Sequence, residues 1–128
     1  MTRVRASSSA VVIAQSDSCF ADRLESALQE HFGRVVGAQS VEELQTILRR
    51  HEAQVAVLGL ELASVDEVKQ LARTFANVTI VCAHHFPEDR LWVAALSAGA
   101  AELCHPLDIT SILAASRSAM KQSSSAAA

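Results

Sequence analysis

Five thiol and imidazole side chains fall into two tight groups in this chain, Cys82, His84 and His85 in one and Cys104 and His105 in the other. Thiolate and neutral imidazole are the ordinary zinc ligands, and both change charge or oxidation state readily, so their convergence would offer a metal or redox sensor. The spacings C-x-H-H and C-H fit no zinc-finger pattern, however, and a free cysteine serves equally well as a small apolar core residue. No metal site is therefore expected. A second set is Gln15, Ser16 and Asp17, and a third is Gly59, Leu60 and Glu61. Asp17 and Glu61 are the acids that could contact a cation or help a phosphate site. Gly59 offers no nucleophile. The four glycines are isolated at 33, 37, 59 and 99, which leaves no phosphate-cradling loop, and no serine or cysteine sits in a nucleophile-elbow pattern. An enzyme is not expected.

These groups share one structural position, because each follows a short apolar run. Hydrophobic patterning predicts strands over Ala10–Ala14, Arg34–Ala38, Gln54–Leu58, Val78–Cys82 and Ala101–Cys104. Between them lie amphipathic segments. The first helix carries an apolar stripe of Phe20, Leu24, Ala27, Leu28 and Phe32, at the spacing of one buried face. Ser40-Val41-Glu42-Glu43 and Ser64-Val65-Asp66-Glu67 have the form of capping boxes. They open helices that bury Val41, Leu44, Ile47 and Leu48, and Val65, Val68, Leu71, Ala72 and Phe75. Pro87-Glu88 opens a fourth helix, with Val93 and Leu96 at inward spacing and Trp92 beside them, and Gly99 caps its end. The last helix is predicted from Asp108 to about Met120. Five β-α units with right-handed crossovers make a parallel sheet with helices on both faces, and all the strand C-termini lie along one edge. The candidate residues above are that edge.

Composition agrees with this architecture and narrows the function. The 128 residues suit one domain. Half are hydrophobic and 4% aromatic, so the core is aliphatic. A formal charge of -3 argues against a nucleic-acid partner. Three widely spaced cysteines at 19, 82 and 104 make no disulfide framework, and no apolar run reaches membrane-spanning length, so a cytoplasmic protein without a membrane partner is expected. Residues 1–9 are expected to be a disordered arm, 10–121 the domain, and 122–128 a Ser/Ala-rich tail.

The order and spacing of these residues resemble the receiver domain of bacterial two-component response regulators from about Ala10 to Met120. In that family an acidic pair follows the first strand, a phosphoacceptor aspartate ends the third, a Thr or Ser ends the fourth, and Lys-Pro follows the fifth. The matching positions here hold Gln15 and Ser16, Gly59, Cys82, and His105-Pro106. Leu60, Leu62, Val65 and Asp66 keep the family's spacing after the third strand, with Ala63 and Glu67 in place of Pro and Gly. Ala98-Gly99-Ala100 repeats the motif that ends the fourth helix. The resemblance implies a flavodoxin-like α/β three-layer sandwich, with a five-stranded parallel sheet of order 2-1-3-4-5 and five helices.

The departures from the pattern bear on the chemistry. Phosphoryl transfer to a receiver needs a carboxylate nucleophile and anionic oxygen ligands for magnesium, and the five positions supply neither. No cofactor is expected, magnesium included. The expectation is a pseudo-receiver, an atypical response regulator that signals by protein–protein contact without aspartyl phosphorylation, with another protein or a second copy of itself as partner. Trp92, flanked by Arg90, Arg117 and Lys121, is the candidate interface anchor. Two alternatives are a phosphorelay receiver using displaced acids, Asp17 and Glu61, and a small-ligand or metal/redox sensor at the strand edge.

Overall fold

A computed structural model describes residues 10–50 and 53–117. The predicted arm at 1–9, the tail at 122–128, the end of the last helix beyond 117 and the Lys121 contribution to the Trp92 rim lie outside the described residues.

Strand β1 (Ala10–Ala14) is followed by α1 (Ser18–Gln29), β2 (Arg34–Ala38), α2 (Val41–Arg49), β3 (Val55–Gly59), α3 (Val65–Thr74), β4 (Thr79–Ala83), α4 (Asp89–Ser97) and β5 (Glu102–Cys104). A final helix, α5, occupies 109–117. The strands form one parallel sheet in the order β2-β1-β3-β4-β5. Strands β1 and β3 are buried at all five positions, as expected of central parallel strands covered on both faces. Edge strand β2 is buried only at Ala38.

Alternation along each strand splits the core in two. Val12, Ala14, Ala56, Leu58, Ile80 and Cys82 face α2, α3 and α4, where Leu44, Leu48, Val68, Leu71 and Ala95 meet them. Val11, Ile13, Val55, Val57, Val81 and Cys104 face α1 and α5, against Leu24, Leu28 and Ile112. Phe20 and Ala27 of the predicted α1 stripe are only half-buried. Burying each Leu or Val is worth about 1.5–3 kcal/mol, so this double core is the main source of cohesion.

Local signals place the helix ends. The Ser64 Oγ accepts from Glu67 N–H at 3.2 Å while Glu67 Oε1 accepts from Ser64 N–H at 2.9 Å, a complete capping box. At α2 the Ser40 Oγ accepts from Glu43 N–H, but Glu43 reaches one residue further back, accepting from Gln39 N–H at 2.7 Å. Helix α4 ends in a Schellman turn, in which Ala100 N–H donates to Ala95 and Gly99 N–H to Leu96. Gly99 has φ +114°, and a Cβ there would sit 2.6 Å from Ala72 Cβ of α3.

Two predictions need correction. Val93 does not face inward: it is 55% exposed, and the inward positions of α4 are Leu91 and Ala95. Their i, i+4 spacing continues to buried Ala98, which places Val93 half a turn out of phase. Strands β3 and β4 each run one residue later than predicted, with consequences at the strand tips. No helix among the described residues is long and apolar enough to cross a membrane.

Candidate functional site

The strand tips meet where the ladder ends. The register pairs Leu58 with Cys82 and Gly59 with Ala83. Leu60 N–H extends the pairing by donating to Ala83 carbonyl at 2.8 Å, and the chain then turns as Leu62 and Ala63 N–H both donate to Gly59 carbonyl. The neighbour of Gly59 at the edge is therefore Ala83. Cys82, predicted for that place, is fully buried beside Leu58 on the sheet face covered by α2, α3 and α4. The one-residue shift turns its side chain to the opposite face.

Gln15 occupies the space above Gly59. Its side chain is 6% exposed and lies so close to the glycine that a Cβ on residue 59 would fall 2.5 Å from Oε1 and 2.9 Å from Cδ. Oε1 accepts from Ser16 N–H at 3.2 Å, and Nε2 is buried without a hydrogen-bond partner. An unsatisfied buried N–H costs about 1–3 kcal/mol, so this amide is held by its surroundings at some expense. Gln15 and a side chain at 59 exclude one another in this arrangement.

Both displaced acids are engaged elsewhere. Asp17 is the N-cap of α1, its Oδ1 accepting from Cys19 N–H at 2.9 Å and Phe20 N–H at 3.3 Å. Glu61 Oε2 accepts from His85 N–H at 3.1 Å and lies 2.6 Å from His85 Nδ1 and 3.8 Å from His84 Nε2. Partial burial works to raise the Glu61 pKa, but the hydrogen bonds from the His85 side chain and backbone outweigh it and hold the carboxyl below its usual value of 4.5. The Glu61–His85 contact ties the β3–α3 loop to the β4–α4 loop.

The cysteine–histidine set does not converge. Cys82 and Cys104 face opposite sides of the sheet. Burial pushes the Cys82 thiol up to about 12, with Cys104 adding to it; burial, Glu102 and Asp108 push Cys104 up to about 11. Both are protonated thiols near neutral pH, poor as ligands or nucleophiles. Among the described residues no group of three or more His, Cys, Asp or Glu is arranged to hold a metal ion. A magnesium ion does not fit the tip either, since Gln15 and Ser16 bring no charge and Gln15 Oε1 is already bonded to Ser16 N–H.

What gathers instead is an aromatic cluster. The rings of His85 and His105 are 5.9 Å apart, and Phe20 packs 4.9 Å from His85 and 6.4 Å from His105. His105 Nδ1 accepts from Leu107 N–H at 3.0 Å. The sequence pattern assigned Phe20 to the helix core, and nothing local distinguishes a first-turn aromatic that packs on loops from one that packs inward. Trp92 is 43% exposed, and its Nε1 donates to Glu102 Oε1 of β5 at 2.8 Å. Phe86 at 73% and Leu107 at 45% exposure are further exposed apolar side chains, on the loops after β4 and β5, neither singled out in the sequence.

Strand order, helix placement and the strand-tip edge together decide the fold. It is the flavodoxin-like fold of response-regulator receiver domains. A response regulator from Thermotoga maritima superposes with TM-score 0.79 at 16% identity, over 88% of this chain and 98% of its own. The signal receiver domain of an HD domain-containing protein from Pseudomonas fluorescens Pf-5 gives 0.79 at 16%, over 91% and 98%. The beryllofluoride-activated NtrC4 receiver domain dimer gives 0.79 at 15%, over 89% and 98%. No family model and no curated protein sequence matches the chain. Identity this low carries the receiver fold, and the chemistry has to be read from the residues at its tips.

Proposed function

We propose that this chain is a pseudo-receiver, a cytoplasmic two-component signalling module that works through protein contacts without aspartyl phosphorylation. One observation carries the reading: the place of the phosphoacceptor side chain is filled by the Gln15 amide lying over Gly59. An in-line phosphoryl transfer needs a carboxylate at that point and a cation to neutralise the phosphoryl oxygens. The amide can serve as neither.

The displaced-acid alternative is disfavoured by the same geometry. Asp17 caps a helix and Glu61 is held by His85, so neither carboxylate is directed at the vacated position. His105, at the lysine position, engages Leu107 N–H through Nδ1. A role in binding is supported by the half-exposed Trp92, with Val93 exposed beside it on α4. Large aromatics on exposed helix faces are frequent interface anchors. Self-association is one form the contact takes in this reading, as in the dimeric NtrC4 receiver among the similar structures.

The test is direct. The full chain, incubated with phosphoramidate and magnesium and examined by intact-mass spectrometry, is expected to gain no phosphoryl group. Acid-labile, hydroxylamine-sensitive phosphate on the protein would overturn the reading.

A further inference from the structure

The two edges of the sheet are finished differently. Strand β5 is three residues long, and the Glu102 carboxylate at its start accepts from Trp92 Nε1 at 2.8 Å. Strand β2 is five residues long and, among the described residues, pairs only with β1, in an unbroken register from Arg34 to Ala38. Alternate residues of such an edge turn their N–H and C=O groups outward, and proteins ordinarily blunt it with charged side chains, a proline or a bulge. Here the single charge is Arg34, at the first position, and Val35, Val36, Gly37 and Ala38 follow with none of these devices. The edge is open: Arg34 and Gly37 are exposed, and a Cβ added at Gly37 meets nothing within 4 Å.

Shape and charge say what fits it. A second β2 laid antiparallel on the first, with the two Val36 residues opposite one another, sets Val35 opposite Gly37 and Arg34 opposite Ala38, each twice by symmetry. Side chains directly opposite in an antiparallel pair lie on one face of the sheet, so the branched Val35 enters the space that Gly37 leaves empty. Arg34 has no ion-pair partner among the described residues. By alternation it shares a face with Val36 and Ala38, the face on which α2 packs. At the far end of the strand on that face stands Glu43 of α2, which lines the same cleft as Gly37 and Ala38. One Glu43 oxygen accepts from Gln39 N–H, which leaves the other for a cation. The antiparallel register delivers the Arg34 of each copy to the Glu43 end of the other.

We propose that the β2 edge joins two copies of this chain into a dimer with one continuous sheet. The two-fold axis passes beside Val36, backbone hydrogen bonds between the β2 strands hold the copies together, and the Arg34–Glu43 pairs fix the antiparallel direction. The occupant is a second copy because one short strand carries both the protruding Val35 and the gap at Gly37, and both the cation and the neighbouring acid. This interface lies at the opposite edge of the sheet from Trp92 and Glu102. It requires neither Trp92 nor the pseudo-receiver reading.

Sedimentation velocity of the full chain at tens of micromolar is expected to show twice the mass of one copy. Gly37→Lys puts a charge in the middle of the edge, where the fold has room for it, and should give a monomer. Arg34→Glu and Glu43→Arg each set like charges against one another and should weaken the dimer about tenfold or more. Mixing these two variants in equal amounts pairs each new charge with its opposite across the interface, so the mixture should regain the dimer. Circular dichroism checks that each variant is folded, since Glu43 also holds Gln39 N–H at the start of α2.

The proposal is overturned by a native chain that stays monomeric, by a dimer that survives Gly37→Lys, or by folded charge variants whose mixture remains monomeric. A dimer lost in Trp92→Ala and kept in Gly37→Lys would move self-association to α4. The phosphodonor experiment is separate. A chain that takes up phosphate yet dimerises through β2 would refute the pseudo-receiver and keep this interface.

Discussion

Two glycines in this molecule forbid a side chain, and they do so in different ways. At the end of α4, Gly99 is excluded from substitution twice over, by a φ of +114° and by Ala72 Cβ at 2.6 Å from where its own Cβ would be. Both causes belong to the backbone framework, since α3 and α4 cannot separate without opening the core. At the tip of β3, Gly59 has no positive φ, and the atoms that crowd it are the far end of the Gln15 side chain. That exclusion depends on one rotamer. The helix packing at Gly99 is thus enforced redundantly, whereas the tip of β3 is closed to a side chain by a single pairwise contact.

The largest effect is expected at the redundant site. Gly99→Ala should lower the unfolding free energy by about 2–4 kcal/mol, the sum of a strained positive-φ side chain and an overpacked helix contact. Urea denaturation followed by circular dichroism measures it. A loss no larger than that of an exposed surface substitution would mean that the two exclusions at Gly99 are not additive and that the contrast with Gly59 fails.

The next effect tests the pairwise site. Gly59→Ala should cost about 1–3 kcal/mol because Gln15 must leave its place. In a Gln15→Ala background the same substitution should cost much less, giving a coupling energy of about 1 kcal/mol or more in a double-mutant cycle. Additive effects of the two substitutions would show that something other than Gln15 closes the position. The cycle also bears on the proposed pseudo-receiver reading, because an aspartate introduced at 59 alone would meet the same amide.

The contrast explains which parts were legible in the sequence. Central strands such as Ala10–Ala14 announce themselves as unbroken apolar runs, and the Ser64/Glu67 cap announces a helix start, because each signal is local. The Schellman glycine at 99 is equally local. The Gln15–Gly59 contact spans 44 positions in the chain and depends on parallel pairing of β1 with β3, which no local pattern encodes. Register was the other loss. Apolar runs at 54–58 and 55–59 look alike, yet the choice decides whether Cys82 or Ala83 stands beside Gly59. Val93 was misplaced because α4 is apolar over most of its surface, so two faces competed in the pattern and packing against α3 and the sheet selected Leu91 and Ala95. Phe20 and Glu61 were committed by contacts with His85, a residue more than twenty positions from either.

The smallest effect concerns the loop that follows Gly59. Its position is set by the Glu61–His85 contact, which is exposed enough that its worth is on the scale of a surface ion pair, about 0.5 kcal/mol. The folded state lowers the Glu61 pKa. A depressed carboxyl pKa stabilises the fold fully above the unfolded value, and that contribution is lost as pH falls through the folded value. The stability advantage of the native chain over Glu61→Gln should therefore be steady near neutrality and shrink as pH drops below about 4.5, the ordinary carboxyl value. Paired denaturation curves at several pH values measure the difference. A difference that grows on acidification would reverse the sign and show that Glu61 is held protonated. In that case the loop after β3 would hold a neutral acid beside His85, and the contact between the two loops would be a hydrogen bond without an anionic partner.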